Sequence, residues 1–103
     1  MTRWMLAALL VIAASSAAWA DAAVDLQAGL EAAQRGHYDD GIRLMTMAID
    51  SKQLSPADQE QAYKVRGLMY QRQNKQKEAM ADYNAAIVLL PNDASAYDMR
   101  GTT

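Results

Sequence analysis

The hexad Ala62-Tyr63-Lys64-Val65-Arg66-Gly67 recurs as Ala96-Tyr97-Asp98-Met99-Arg100-Gly101, at an offset of 34. A recurrence at this period is the mark of a stacked helical repeat, because each unit is too small to bury its apolar face alone and must bury it against a neighbour. The stretch from Ala62 to Pro91 reads as two short amphipathic helices joined by a tight turn and closed by the proline. No segment shows sustained period-two alternation, so no strands are expected.

Taken in order, the chain predicts five helices. The first runs from near Asp21 to Gln34, with apolar residues at Val24, Ala28, Leu30 and Ala32, and Gly36 follows where a helix end favours a left-handed residue. The second starts near Tyr38. Asp39 and Asp40 suit its N-terminal dipole, and Ile42, Met45, Ala48 and Ile49 form its apolar face. Ser51 to Leu54 is a polar joint. Ser55-Pro56-Ala57-Asp58 then reads as a near capping box with proline at the first helical position. The third helix runs to about Gln73 and buries Ala62, Tyr63, Gly67 and Tyr70, with Asn74 as its left-handed stop. The fourth runs from about Gln76 to Leu90 with Ala79, Met80, Tyr83, Ala86, Ile87 and Leu90 on its apolar face. Asn92 or Asp93 caps a fifth helix from Ala94 to about Gly101.

Residues 1–20 stand apart. Arg3 supplies a positive start, Met5 to Ala14 is an apolar run, and Ala18-Trp19-Ala20 is an A-x-A ending. That pattern is a secretory signal peptide, with cleavage expected between Ala20 and Asp21 and a periplasmic or secreted location. A membrane role follows only if the leader is retained, and the run is short of the roughly 20 apolar residues of a spanning helix. Removing Arg3 leaves 9 basic against 12 acidic groups, a formal charge of −3. This mild acidity and the lack of a basic stripe argue against nucleic acid as a partner. With no cysteine in the chain, disulfides and thiolate chemistry are excluded.

Tyr63, Gly67, Tyr70, Ala79, Tyr83, Ala86 and Pro91 together resemble the tetratricopeptide repeat (TPR) family. Its pattern has a large aromatic, leucine-glycine and tyrosine on the first helix, then alanine, an aromatic and alanine on the second, and a closing proline. Tyr63 stands for the usual tryptophan, and Arg66 departs from the leucine. An earlier, degenerate copy aligns Gly29 with Gly67, Gly41 with Ala79, Met45 with Tyr83 and Ala48 with Ala86, all at an offset of 38. Asp25 and Ala32 occupy its aromatic positions, and the four extra residues fall at the Ser51–Leu54 joint. The resemblance implies an all-α fold: helix-turn-helix repeats stacked as a short right-handed α-solenoid behind the signal peptide. Its units are 1–20 (leader), 21–54 (degenerate first repeat), 55–93 (second repeat) and 94–103 (first helix of a truncated third).

Catalysis finds no foothold. His37 is the only histidine and falls in an inter-helix turn, and with no cysteine it makes no usual zinc site. Ser55 is a cap, and the glycines are not spaced as a phosphate loop. Met45 and Met80 fall on core faces, while Met47 and Met69 fall at partly exposed positions. No enzyme activity, catalytic residue, cofactor or metal is expected.

What the resemblance implies is recognition of a protein or peptide by the concave face that first helices line. Here that face would present Leu26, Leu30, Gln61, Lys64, Leu68, Gln71 and Arg72. The basic clamp of chaperone-binding members is absent, since its positions hold Leu26, Leu30, Val65, Ser95 and Met99. Two repeats and part of a third are few for a stable stack, so the chain is expected either to be part of a longer array or to self-associate through its open C-terminal repeat. The alternative function is the recognition part of a longer envelope enzyme. Both tryptophans, Trp4 and Trp19, lie in the leader. Purified envelope protein should therefore show tyrosine emission alone, and tryptophan emission would show that the leader is retained.

Overall fold

In the computed structural model, residues 21–102 are described, and the expected leader, residues 1–20, lies outside them. The described chain is all-helical: α1 over residues 21–34, α2 Tyr38–Asp50, α3 Pro56–Arg72, α4 Gln76–Leu89 and α5 Ala94–Gly101, with no strand among the described residues. From the end of α1 onward, these limits follow the sequence pattern closely.

The turns show why these helices stop where they do. After α1, Gly36 takes φ +77°, the His37 N–H donates to the Ala32 carbonyl (2.9 Å) and the Gly36 N–H to the Ala33 carbonyl (3.1 Å). After α3, Asn74 takes φ +62°, the Lys75 N–H donates to the Tyr70 carbonyl (2.8 Å) and the Asn74 N–H to that of Gln71 (2.9 Å). Both are Schellman closures, which satisfy carbonyls that the helix end would leave orphaned. They are the same turn, and Gly36 and Asn74 stand in the register that pairs Gly29 with Gly67.

The joint after α2 is different. Lys52 is left-handed (φ +58°), the Ser51 hydroxyl donates to the Ala48 carbonyl (2.6 Å), and the Gln53 N–H donates to that hydroxyl (3.2 Å). Ser55 then accepts from the Asp58 N–H (3.1 Å), with Pro56 opening α3. Of the two candidate caps for α5, Asp93 is used, accepting from the Ser95 N–H (3.0 Å).

Packing follows from small residues at the crossings. A Cβ added to Gly29 would lie 2.9 Å from the Met45 methyl, and one added to Gly67 would lie 2.6 Å from Cε1 of the Tyr83 ring. The α1–α2 and α3–α4 crossings are therefore equivalent and share the register of the turns. Between the pairs, Met69 fills the space over Gly41. Leu26, Met45, Ala48, Ile49, Ala62 and Met69 form one buried cluster, and Tyr83, Ala79 and Ala86 are fully buried beyond it. Burying a side chain such as Met45 or Met69 contributes about 1.5–3 kcal/mol.

The structure defines the inward face of α1 and corrects one sequence reading, the partial exposure of Met69. The inward stripe of α1 is Ala22, Leu26, Gly29 and Ala32, whereas Val24 is 63% exposed. Spacings of three and four residues put Ala22, Leu26 and Gly29 on one side, and Val24 faces away from it. Met69 is buried, because Gly41 leaves a space that a flexible side chain from the next helix fills.

Gly67→Leu should cost about 1–3 kcal/mol by overpacking. Gly67→Ala should also destabilise, since it meets a buried ring held between helices. Gly29→Ala should be close to neutral, because the Met45 methyl can move and alanine favours the helix. Thermal melts followed by circular dichroism test this order, and equal losses at the two glycines would contradict it.

Candidate functional site

Helices α3 and α5 lie side by side and run in the same direction. At their N-terminal ends Lys64 reaches Asp93 and Ser95, and at their C-terminal ends the Gln71 amide donates to the Thr102 carbonyl (3.3 Å). The contacts advance together along both helices, which fixes the parallel arrangement. Helix α4 makes the return between them.

Beneath this seam sits a largely buried ion pair. Arg66 Nε donates to Asp82 Oδ2 (2.8 Å) and Nη2 to Oδ1 (2.7 Å), a two-point fork of the kind guanidinium and carboxylate geometry favours. Its remaining Nη1 donates to the Thr46 hydroxyl on α2 (3.0 Å). The guanidinium carbon lies 5.5 and 5.9 Å from the ring centroids of Tyr63 and Tyr70. One side chain on α3 thus binds α2 and α4 together. The bonds to Asp82 raise the Arg66 pKa further above its already high value. Arg100 partly repeats the arrangement, donating to Asn84 Oδ1 (3.2 Å) and lying 5.3 Å from the Tyr97 ring. Asn84 is to Arg100 what Thr46 is to Arg66, an uncharged acceptor on the preceding hairpin's second helix.

From sequence alone, Arg66 shows only as a departure from leucine, and Asp82 is not singled out. A signal is nonetheless present. Asp82 lies three residues after Ala79 and four before Ala86, so it falls on the stripe that α4 buries, where an acid requires a partner.

The upper end of the seam is a second polar cluster. Lys64 Nζ lies 2.7 Å from Asp93 Oδ2 and 2.9 Å from the Ser95 hydroxyl, and 3.2 Å from Glu60 Oε1, which it meets by charge attraction without an aligned hydrogen bond. The Lys64 hydrogen bond holds the Asp93 carboxyl far below the usual carboxylate range. Burial, reinforced by the nearby Asp93 carboxyl, pushes Glu60 upward.

The lower end opens into a cleft of about 550 Å³ lined by Leu68, Gln71, Arg72, Gln76, Tyr83, Met99 and Thr102. Tyr83 donates its hydroxyl proton to Gln71 Oε1 (2.7 Å), and burial raises its pKa.

The residues expected on the concave face separate into groups. Leu68, Gln71 and Arg72 come together at the cleft. Gln61 is exposed on the same helix, and Lys64 is held in the ionic cluster. Leu30 is half-buried against the core. Leu26 is only 7% exposed inside the hydrophobic cluster, so it serves packing and offers little to a partner. Among the framework positions, Gly29, Gly41, Gly67, Ala79, Tyr83 and Ala86 are buried, Tyr63 and Tyr70 half-buried, and Pro91 exposed. His37 is exposed in its turn, and no group of three or more His, Cys, Asp or Glu side chains among the described residues could hold a metal ion. No helix among them is long and apolar enough to cross a membrane. Set against protein-family models, curated proteins and solved structures, the chain has no match in any of the three comparisons.

Removing one partner of the buried pair should be costly, because it strands a charge. Asp82→Ala is expected to lose about 3–5 kcal/mol, and the double variant Arg66→Leu/Asp82→Ala should recover part of that loss. Urea titrations of the single and double variants check this, and additive losses would refute the coupling.

The polar cluster predicts opposite signs for its two acids. Asp93 has a depressed pKa, so its stabilisation is present above about pH 3.8 and disappears as pH falls toward its folded value. Glu60 has a raised pKa, so its contribution is full below about pH 4.5 and disappears as pH rises through its folded value. At pH 7, Asp93→Asn should lower Tm and Glu60→Gln should hold or raise it. A comparable drop in both variants would count against this assignment.

Proposed function

We propose that this chain is an exported helical-repeat scaffold of the tetratricopeptide type, which binds a protein or peptide along the α3–α5 face and has no catalysis of its own. The observation that carries the reading is a structural recurrence in a single register. The Gly36 and Asn74 closures coincide, as do the Gly29–Met45 and Gly67–Tyr83 crossings. The parallel seam of α3 and α5, the two first helices, continues the same stacking logic toward an α-solenoid. In such a stack the first helices of successive units share one face, so residues distant in sequence line a common groove. Leu68, Gln71 and Arg72 of α3 line one here with Met99 of α5 and Thr102, which caps it. Export is supported by the leader pattern of residues 1–20.

Site-specific photo-crosslinking in the native envelope tests the binding role. A photoreactive residue at Gln61, exposed on α3, should capture a defined partner, and one at Val88, exposed on α4, should not. Equal capture from both positions, or none from either, would reject the face assigned.

A further inference from the structure

Among the described residues, the cleft at the lower end of the seam has one charged lining residue, Arg72. Its lack of an acidic neighbour has a local cause. The positions three and four residues away are Leu68, Met69, Lys75 and Gln76, so no acid lies within intrahelical reach. Among the described residues, the ion pairs engage Arg43, Lys64 and Arg66, and none engages Arg72. The contrast along one helix is informative. Lys64 sits between two carboxylates and Arg66 holds one in a fork, while Arg72 is exposed at an open cleft.

The rest of the lining defines what else a ligand would meet. Leu68 precedes Arg72 by one helical turn, and Met99 approaches from α5, both half-buried. Gln71 and Gln76 place side-chain amides beside them. We infer that this cleft binds an internal peptide segment in which an acidic side chain stands beside an aliphatic one. The carboxylate meets the Arg72 guanidinium, and the aliphatic group rests against Leu68 and Met99. A guanidinium binds a carboxylate through two parallel hydrogen bonds, and an apolar wall strengthens that bond by excluding water. A chain-terminal carboxylate offers the same chemistry. The internal acid is the better fit, because among the described residues a single cation lines the cleft.

This inference rests on the scaffold reading, and the test separates the two. The full chain is applied to an array of N-acetylated, C-amidated nonapeptides carrying Leu-Glu or Glu-Leu at the centre. Matched peptides carry Leu-Gln or Leu-Lys, and a further set has a free C-terminal carboxylate as its only acid. The acidic internal peptides should bind best. Their binding should weaken with added salt and fall about tenfold in Arg72→Gln, with Arg72→Lys retaining part of it. Arg43→Gln, at an exposed pair elsewhere, should change nothing. Binding indifferent to the acid, confined to free C-termini, or unchanged in Arg72→Gln would overturn the inference and leave the scaffold reading standing. An array with no binder would overturn both.

Discussion

The close approach of α3 and α4 at Gly67 is the constraint from which the rest of this structure follows. Without a side chain at that position, the Tyr83 ring packs close to the α3 backbone and is fully buried. The approach also brings Asp82 under Arg66, where the carboxylate can accept two hydrogen bonds. A wider crossing would leave both groups half-solvated and remove the bond that Arg66 extends to Thr46 on α2. Helix spacing, a buried aromatic and an ionic tie across three helices are thus consequences of one missing Cβ. The net stability that the tie adds is small beside its Coulomb attraction, because desolvating both ions offsets much of that attraction.

The same geometry recurs one unit earlier with different materials. Gly29 and Met45 replace Gly67 and Tyr83, so a flexible thioether fills the space that a rigid ring fills later. Gly36 replaces Asn74 at the turn, and the pair of closing hydrogen bonds is unchanged. Backbone geometry is kept between the copies where side-chain identity is not. This is expected when the requirement at each position is a size or a backbone angle and not a chemical group.

What can be read from the residues follows the same division. Helix limits, the left-handed turns at Gly36 and Asn74, the Ser55 cap and the small crossing residues are legible, because each depends on local chemistry that a short motif expresses. Three features are not. The inward stripe of α1 is not marked in the sequence pattern, since alanine-rich helices carry weak amphipathic contrast and the exposed Val24 is as apolar as the residues that are buried. Lys52 adopts a left-handed turn that neither glycine nor asparagine announces. The Arg66–Asp82 pair joins side chains on different helices, so it becomes visible only once the hairpin is closed. Of the face proposed for binding, Leu68, Gln71 and Arg72 meet in one cleft, whereas Leu26 belongs to the core.

The distribution of charge along α3 explains why its C-terminal end carries a cation that no described ion pair engages. Near its start, Glu60 and Asp93 compete for Lys64, an arrangement with more acid than base, in which the ammonium is already engaged on every side. In the middle, Arg66 is occupied by Asp82, Thr46 and two aromatic rings. These contacts hold α3 against α2, α4 and α5 without relying on the residues near its end. The last turn meets its neighbours through Met69, packed over Gly41, and through the neutral amides of Gln71 and, just beyond it, Gln73, and Arg72 takes part in none of these contacts. A cation placed there can serve recognition, because the helix bearing it is already positioned by the ionic contacts upstream.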